Sequence, residues 1–190
     1  MELHGAGGRH PHGECQLEQD ETNMTLDANH PAGDLLAQLL EGWAVNNRVT
    51  LTLLGHIPDE GFKATLSKRG GRDVARQLAH LHMVRVARLE NGRARDLATE
   101  LPRFASKESP SRAQLVDAFE ASGPAVALYL EDLVEGRRAS VGVKRGPGVF
   151  FAYLVAHEAH HRGSILLTLK QCGHPLDETL RWGIWEWDKL

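Results

Sequence analysis

Residues 147–172 read PGVFFAYLVAHEAHHRGSILLTLKQC, and this stretch decides how the chain folds. Pro147 is tolerated in the first turn of a helix, and Gly173 followed by Pro175 forms a common carboxyl-terminal stop. Between these signals the apolar residues recur at helical spacing. We therefore predict one long amphipathic helix with two histidines on its inward face. The predicted inward stripe contains Phe150, Leu154, His157, His161 and Ile165.

The same periodicity predicts three more helices upstream. Two of them span about 33–55 and 72–91, and a third begins after the Ser-Pro-Ser start signal at 109–111 and runs to Gly136. Inside the third helix, the missing N–H of Pro124 predicts a kink or a break. The sequence contains no alternating run of strand-forming residues and no repeat of fixed period. The expected fold is therefore all-α, an antiparallel four-helix bundle.

Two segments flank the bundle in this prediction. Residues 1–30 are rich in Gly and poor in apolar side chains, so we expect a disordered leader ahead of a single bundle domain at 31–190. Met24 is a second candidate start, which would make 1–23 an upstream extension. A short Trp-rich segment ends the chain, and we expect its indole rings to plug one end or edge of the bundle. These rings belong to Trp182, Trp185 and Trp187.

Charge, apolar content and cysteine usage indicate which kinds of partner the protein lacks. With 22 Lys+Arg against 25 Asp+Glu, the formal net charge of −3 gives no basic excess for nucleic acid. The longest uncharged apolar stretch, 149–156, is far shorter than the roughly 20 residues that span a bilayer. Cys15 and Cys172 lie far apart without a CxxC spacing, and no signal-peptide core is visible. We therefore expect a cytoplasmic protein that acts on a small molecule, with neither a membrane nor a nucleic-acid partner.

The histidine pair at 157 and 161 is the strongest chemical signal. The two residues are one helical turn apart, so both imidazoles can converge on one divalent metal ion. Two buried imidazoles repel each other when protonated and need hydrogen-bond partners when neutral, and a metal resolves both difficulties. A hydrogen-bonded pair of core histidines is the alternative. A further alternative is the HExxH motif of zinc proteases, which HEAHH matches literally and in which Glu158 activates a metal-bound water.

A third metal ligand is available in the second helix, where residues 78–85 read LAHLHMVR. His82 lies near the apolar face of this helix, whereas His80 lies on its flank beside Gln77 and Val84. Spacing alone therefore favours His82, with His80 as the other candidate. The apolar face is defined by Val74, Leu78, Leu81, Arg85 and Leu89.

These segments resemble the DinB/YfiT-like family of metal-binding four-helix bundles. The similarity extends over most of the chain from about Asp34 and rests on the LAHL-type segment, the HHRG run at 160–163 and GIWEW at 183–187. In that family a histidine of the second helix joins the first and last histidines of an HxxxHHRGQ segment. Ser164 departs from this pattern, because it stands where the family has Gln. The resemblance implies a metal site, open to further ligands, made by His80, His157 and His161.

The resemblance also implies a reaction. Related proteins include transferases and isomerases that use mycothiol or bacillithiol, so we expect metal-activated transfer of a low-molecular-weight thiol to a small electrophile. Zinc is the default ion by availability, and imidazole ligands also suit nickel, copper or iron. A metal-dependent hydrolase that uses a metal-bound water is the first alternative. A non-catalytic stress-response module for binding or dimerisation is the second, and a homodimer is a further expectation.

Three other polar residues lie close to these motifs. His160 is rotated away from His161, and we expect it beside the ligands or packed between helices. Asn47 and Arg85 are polar positions on apolar faces. They either make satisfied internal hydrogen bonds or, for Arg85, hold a substrate carboxylate near the metal.

Overall fold

The computed structural model describes residues 34–138 and 146–190, and all of its regular structure is helical. The predicted leader at 1–30 and the extension at 1–23 lie outside the described residues. No strand occurs within the described ranges, which confirms the all-α prediction. In chain order the helices are α1 (Leu35–His56), α2 (Val74–Asn91), α3 (Arg95–Ala98), α4 (Arg112–Val134), α5 (Pro147–Gln171) and α6 (Glu178–Gly183).

The four long helices are the four predicted ones, and local capping explains where they begin. Asp34 accepts a hydrogen bond from the backbone N–H of Ala37 at 3.0 Å. Asp73 caps α2 in the same way, with its carboxylate 2.8 Å from the N–H of Arg76. Ser111 begins α4 with a reciprocal capping box. These contacts satisfy N–H groups that have no partner inside the helix, so each start is fixed locally.

Two apolar clusters hold the long helices together, and α1, α2, α4 and α5 contribute to both. Each fully buried large apolar side chain favours the folded state by about 1.5–3 kcal/mol. The clusters therefore fix α2 beside α5, the pair of helices that carries the histidines. The first cluster includes Leu53, Leu78, Phe119 and Ile165. The second includes Trp43, Leu89, Tyr129 and Phe150.

Helix α2 runs antiparallel to α5. Arg88, near the end of α2, lies over the ring of Tyr153, near the start of α5. His80, in the first half of α2, contacts His161 farther along α5. The two helices therefore form a groove in which residues of both can meet along several turns.

The predicted break at Gly123-Pro124 is wrong, because α4 continues through both residues to Val134. Pro124 lies exposed on the surface, where it costs the helix one hydrogen bond without displacing a neighbour. The carbonyl of Gly123 accepts a hydrogen bond from the indole N–H of Trp43 at 2.8 Å. A side chain at Gly123 would collide with the amide of Asn47, so any larger residue here would force Asn47 to move.

The tail tryptophans do not plug the bundle. Trp182 and Trp185 are 61% and 71% exposed, and Trp187 is 37% exposed. The tail packs instead through its aliphatic residues, which are spaced four apart and face the core on one side of α6. These buried residues are Leu176, Leu180 and Ile184. Among the described residues, no helix combines the length and apolar character that crossing a membrane requires.

Candidate metal centre

Three histidines from two helices converge in the groove between α2 and α5. The ring centroids of His80 and His161 are 4.9 Å apart, those of His157 and His161 4.7 Å, and those of His80 and His157 5.5 Å. One ring nitrogen from each residue lies within 4.8 Å of the other two. All three side chains are half-buried. Three histidines so close together could hold a metal ion.

The hydrogen bonding of these rings tests whether a metal fits. Within residues 34–138 and 146–190, no hydrogen bond is made to the ring of His80, His157 or His161. The Nδ1 atom of His157 is buried without any partner. A buried imidazole nitrogen that is neither hydrogen-bonded nor coordinated costs free energy. Coordination would remove this cost, and imidazole nitrogen is a common ligand of zinc and of other transition metals, so the residues fit a divalent ion.

The electrostatics of the cluster keep the rings neutral, which is the protonation state that binds metals. Burial lowers the pKa of His161 to about 4, with further lowering from the neighbouring His157 and His80. Burial also lowers the pKa of His80, aided by the charge of Arg72. The pKa of His157 is lowered by burial as well, although the Glu158 carboxylate acts in the opposite direction. At neutral pH, protons therefore compete little with a metal for this site.

Aromatic and cationic side chains flank the cluster along the groove. The ring of Tyr153 stacks on that of His157 at a centroid distance of 5.9 Å, and the guanidinium of Arg88 lies 4.3 Å from the Tyr153 ring. On the other side, the ring of His160 meets that of His161 edge-on at 5.2 Å. His160 is exposed, so the expectation that it packs between helices is wrong. It lies on the solvent side of the cluster.

A cavity of about 180 Å³ adjoins His80. Its walls combine the apolar side chains of Met83 and Phe104 with charged groups. This space gives a small molecule access to the neighbourhood of the histidine cluster. The charged residues in its lining are Arg72, Arg76 and Glu108.

His82, the residue that spacing favoured, is not part of the cluster. Its ring is fully buried, with Nε2 2.8 Å from the carbonyl of Pro102 and Nδ1 3.2 Å from the hydroxyl of Ser122. Phe104 and Phe119 contact the ring edge-on. The helical phase identified the inward residue correctly, but the cluster lies on the flank of α2 rather than at its core face.

On α5, too, the histidines of the cluster lie on the flank of the helix and not on its core face. The predicted inward stripe of α5 is therefore partly wrong. His157 and His161 are half-buried, whereas Glu158 and Arg162 are buried. The core face of α5 therefore includes two charged positions that a search for apolar spacing passes over. The buried row runs Phe150, Leu154, Glu158, Arg162, Ile165 and Leu169.

Glu158 cannot serve as the water-activating base of an HExxH site in this arrangement. Its two carboxylate oxygens accept hydrogen bonds from Nε and Nη2 of Arg85 at 2.7 and 2.9 Å, and one of them also accepts from Asn46 at 2.7 Å. The side chain is 1% exposed. The carboxylate is therefore committed to the interior of the bundle.

The guanidinium of Arg85 is likewise out of reach of a substrate. It is fully buried, and besides Glu158 it donates to the side-chain oxygens of Asn47 at 2.7 Å and Ser122 at 3.2 Å. The hypothesis of a substrate carboxylate at Arg85 is wrong, because the carboxylate that it binds is the protein's own. Asn47 follows the other interpretation, a satisfied internal hydrogen bond.

Three further residues belong to this buried network. Arg162 donates to the side-chain oxygen of Asn46 at 2.9 Å and to the hydroxyl of Thr50 at 3.0 Å, and it lies 3.5 Å from Glu158. Asn46 and Thr50 are spaced four apart on α1, which is the signal that could have indicated a shared face. The network joins α1, α2 and α5 beneath the histidine cluster.

Comparison with known proteins agrees with this architecture. None of the curated proteins matches the chain at a significant level. The sequence model of the DinB family matches residues 24–182, which is most of the chain. The helical bundle and the histidine cluster described above lie within the matched residues. The chain therefore belongs to the DinB family.

Proposed function

We propose that the protein is a divalent-metal-dependent enzyme that transfers a low-molecular-weight thiol to a small electrophile. In this proposal His80, His157 and His161 hold the ion. The observation that carries it is the convergence of three half-buried imidazoles whose rings make no hydrogen bond to any residue that the structure describes. Three protein ligands leave positions open for a reacting molecule, as in working metal sites rather than closed structural ones.

A divalent ion in this site would supply a Lewis acid that lowers the pKa of a thiol. The protein's own residues favour the same outcome. Arg72 and Arg88 place positive charge close enough to lower the pKa values of the neighbouring histidines, and the same fields favour a thiolate over a thiol. Met83 and Phe104 give the adjoining cavity an apolar wall for the non-polar part of a small molecule.

The position of Glu158 favours thiol transfer over hydrolysis. A hydrolase of the HExxH type needs a carboxylate facing the metal to accept a proton from water. Glu158 instead binds Arg85 and Asn46 in the interior. A thiolate attacks without a general base, so the interior position of Glu158 is compatible with thiol transfer.

Metal quantification on purified, untagged protein tests the site. We expect about one equivalent of zinc or a similar ion per chain in the wild type and in His82→Ala. His80→Ala and His161→Ala should retain less than about 0.2 equivalents. His160→Ala is the matched control, because it removes an exposed imidazole next to the cluster and should retain the ion. Full occupancy in His80→Ala, or no uptake by folded wild type, would contradict the proposal.

Activity is tested with 1-chloro-2,4-dinitrobenzene and a panel of thiols that includes bacillithiol and mycothiol. In the expected reaction the thiol sulfur bonds to the ring carbon, chloride leaves and the thiol proton passes to solvent. The rate should require the loaded ion and should fall at least about 100-fold in His161→Ala. Stoichiometric metal without thiol transfer, but with hydrolysis of ester substrates, would favour the hydrolase. Absence of both metal and activity would favour the non-catalytic module.

A further inference from the structure

We propose that Arg72 and Arg76 form a binding site for a carboxylate of the small molecule that reacts beside the histidine cluster. The proposal deepens the proposed function and rests on it, since it names the chemistry of the group that this site takes. Both arginines line the cavity of about 180 Å³ that also contains His80. A carboxylate bound there would lie next to the proposed metal centre.

Neither guanidinium has a carboxylate partner within the described parts of the chain. Within residues 34–138 and 146–190, Arg76 donates only to backbone carbonyls, those of Gly71 at 3.4 Å and Ser106 at 3.2 Å. Its Nε is buried without a hydrogen-bond partner among the same residues. Arg72 is exposed and makes no ion pair with any described residue. Two uncompensated guanidiniums at one cavity attract an anion, and arginine binds carboxylates through paired hydrogen bonds.

The acidic groups nearby are already used by the protein. Glu108 lines the same cavity, but its carboxylate accepts a hydrogen bond from the backbone N–H of Ala105 at 2.9 Å. Asp73 caps α2 through one oxygen and accepts from the hydroxyl of Ser109 at 2.7 Å through the other. Neither carboxylate pairs with Arg72 or Arg76 among the described contacts. With two arginines and one glutamate in its lining, the cavity keeps a net positive charge that can attract an anion.

The arginines and the cluster meet at one cavity. Arg72, Arg76 and His80 all contribute to its lining. His80 and Arg76 lie one turn apart on α2. A small molecule in this cavity could therefore contact an arginine and the edge of the cluster together. Either the thiol or the electrophile could supply the carboxylate.

The first test uses metal-free protein and propionate, which carries the carboxylate without a reacting group. The side-chain Nε–H resonance of Arg76, assigned by its loss in Arg76→Gln, should shift saturably during an NMR titration with propionate. Propionamide, which is neutral, should cause no shift. Absence of a propionate-dependent shift would overturn the proposal. This readout does not depend on a metal, so failure of the proposed function leaves it intact.

The second test uses Co²⁺-loaded protein and assigns the source of the carboxylate. Thiol binding is followed through the sulfur-to-cobalt charge-transfer absorption. We expect 3-mercaptopropionate to bind about tenfold more tightly than 3-mercapto-1-propanol, and this preference should vanish in Arg72→Gln and Arg76→Gln. Equal binding of both thiols, with fumarate displacing propionate from Arg76, would assign the carboxylate to the electrophile. Equal binding without that displacement would overturn the proposal.

Matched variants separate a local site from a general charge effect. Arg69→Gln removes the same charge from an exposed position of the same loop, outside the cavity lining, and should keep the preference for 3-mercaptopropionate. Arg76→Lys should restore part of the preference that Arg76→Gln loses. If Arg69→Gln weakened binding as much as Arg72→Gln, the effect would come from net charge and the proposal would be wrong. Thiol absorption that appears normally in all variants would confirm that the metal centre itself is intact.

Discussion

Glu158 follows His157 in sequence, yet its carboxylate binds Arg85 in the interior of the bundle at 2.7 and 2.9 Å. These two neighbours therefore point to different sides of α5. His157 belongs to the cluster in the groove, and Glu158 belongs to a buried ion pair. The pair ties α5 to α2 in the interior, on the side of α5 that does not face the cluster.

Glu158→Gln should destabilise the protein by about 3–5 kcal/mol, because it leaves the buried guanidinium of Arg85 without a counter-charge. Urea denaturation of metal-free protein measures the change. The folded fraction of the variant should still bind metal stoichiometrically, since Glu158 does not face the cluster. Glu158→Gln combined with Arg85→Met should recover part of the lost stability. Unchanged stability together with lost activity would instead support a base role for Glu158.

Acid should weaken the metal-free protein through the histidine cluster. The pKa of His161 is lowered from 6.5 to about 4, mainly by burial, so in this pH range the unfolded chain binds a proton that the folded chain does not. The free energy of unfolding therefore falls as the pH drops through this window, and the loss is complete only below the folded-state pKa. Comparing urea midpoints at about pH 7.5 and about pH 5 measures this loss.

His161→Gln should make that pH dependence shallower, because it removes one of the groups responsible. The control is His56→Gln, which changes an exposed histidine at the end of α1. An unchanged pH dependence in His161→Gln would show that the cluster does not carry the effect. Zinc at neutral pH should raise the thermal midpoint of the wild type but not that of His161→Gln.

His80→Ala and His82→Ala should have opposite effects although the two residues are neighbours on α2. His82→Ala removes a fully buried ring with two hydrogen bonds and should cost about 2–4 kcal/mol in stability. His80→Ala removes a half-buried ring without a hydrogen bond and should cost much less while it abolishes metal binding. Denaturation and metal analysis on the same samples check both effects. Loss of metal from folded His82→Ala would contradict this assignment.

Gly123→Ala should destabilise the protein, against the usual preference of helices for alanine. The added methyl group would collide with the amide of Asn47, and we expect a loss of about 1–3 kcal/mol. Gly163→Ala provides the matched control within a long helix, since a Cβ there meets no atom within 4 Å. It should stabilise the protein by about 0.5–1 kcal/mol. Thermal or urea denaturation of the two variants gives the comparison.

Much of the fold follows from local signals in the sequence. Caps such as Asp73 and Ser111, and stops such as Gly173, act within a few residues, so they located the long helices closely. The continuity of α4 through Pro124 did not follow, because a proline in the sequence signals the loss of one helical hydrogen bond but does not show whether the helix ends there. The short helices α3 and α6 carry too few residues to show a period.

The site was predictable only in part, for a related reason. The spacing of His157 and His161 is a local signal, and it indicated that both rings could bind one metal ion. Spacing favoured His82 over His80, because spacing identifies the inward face of a helix, whereas the cluster lies on the flank of α2. Family resemblance supplied His80 instead. The pairing of Arg85 with Glu158 joins positions 73 residues apart and is visible only once the helices pack.

The exposed tryptophans decide what intrinsic fluorescence reports in this protein. Of its 4 indoles, Trp43 is buried, whereas Trp182, Trp185 and Trp187 lie in the last nine residues and face solvent. Total emission is therefore dominated by the end of the chain, and it should be red-shifted and readily quenched by iodide. Unfolding of the helical bundle should instead be monitored through the weaker, blue-shifted emission of Trp43.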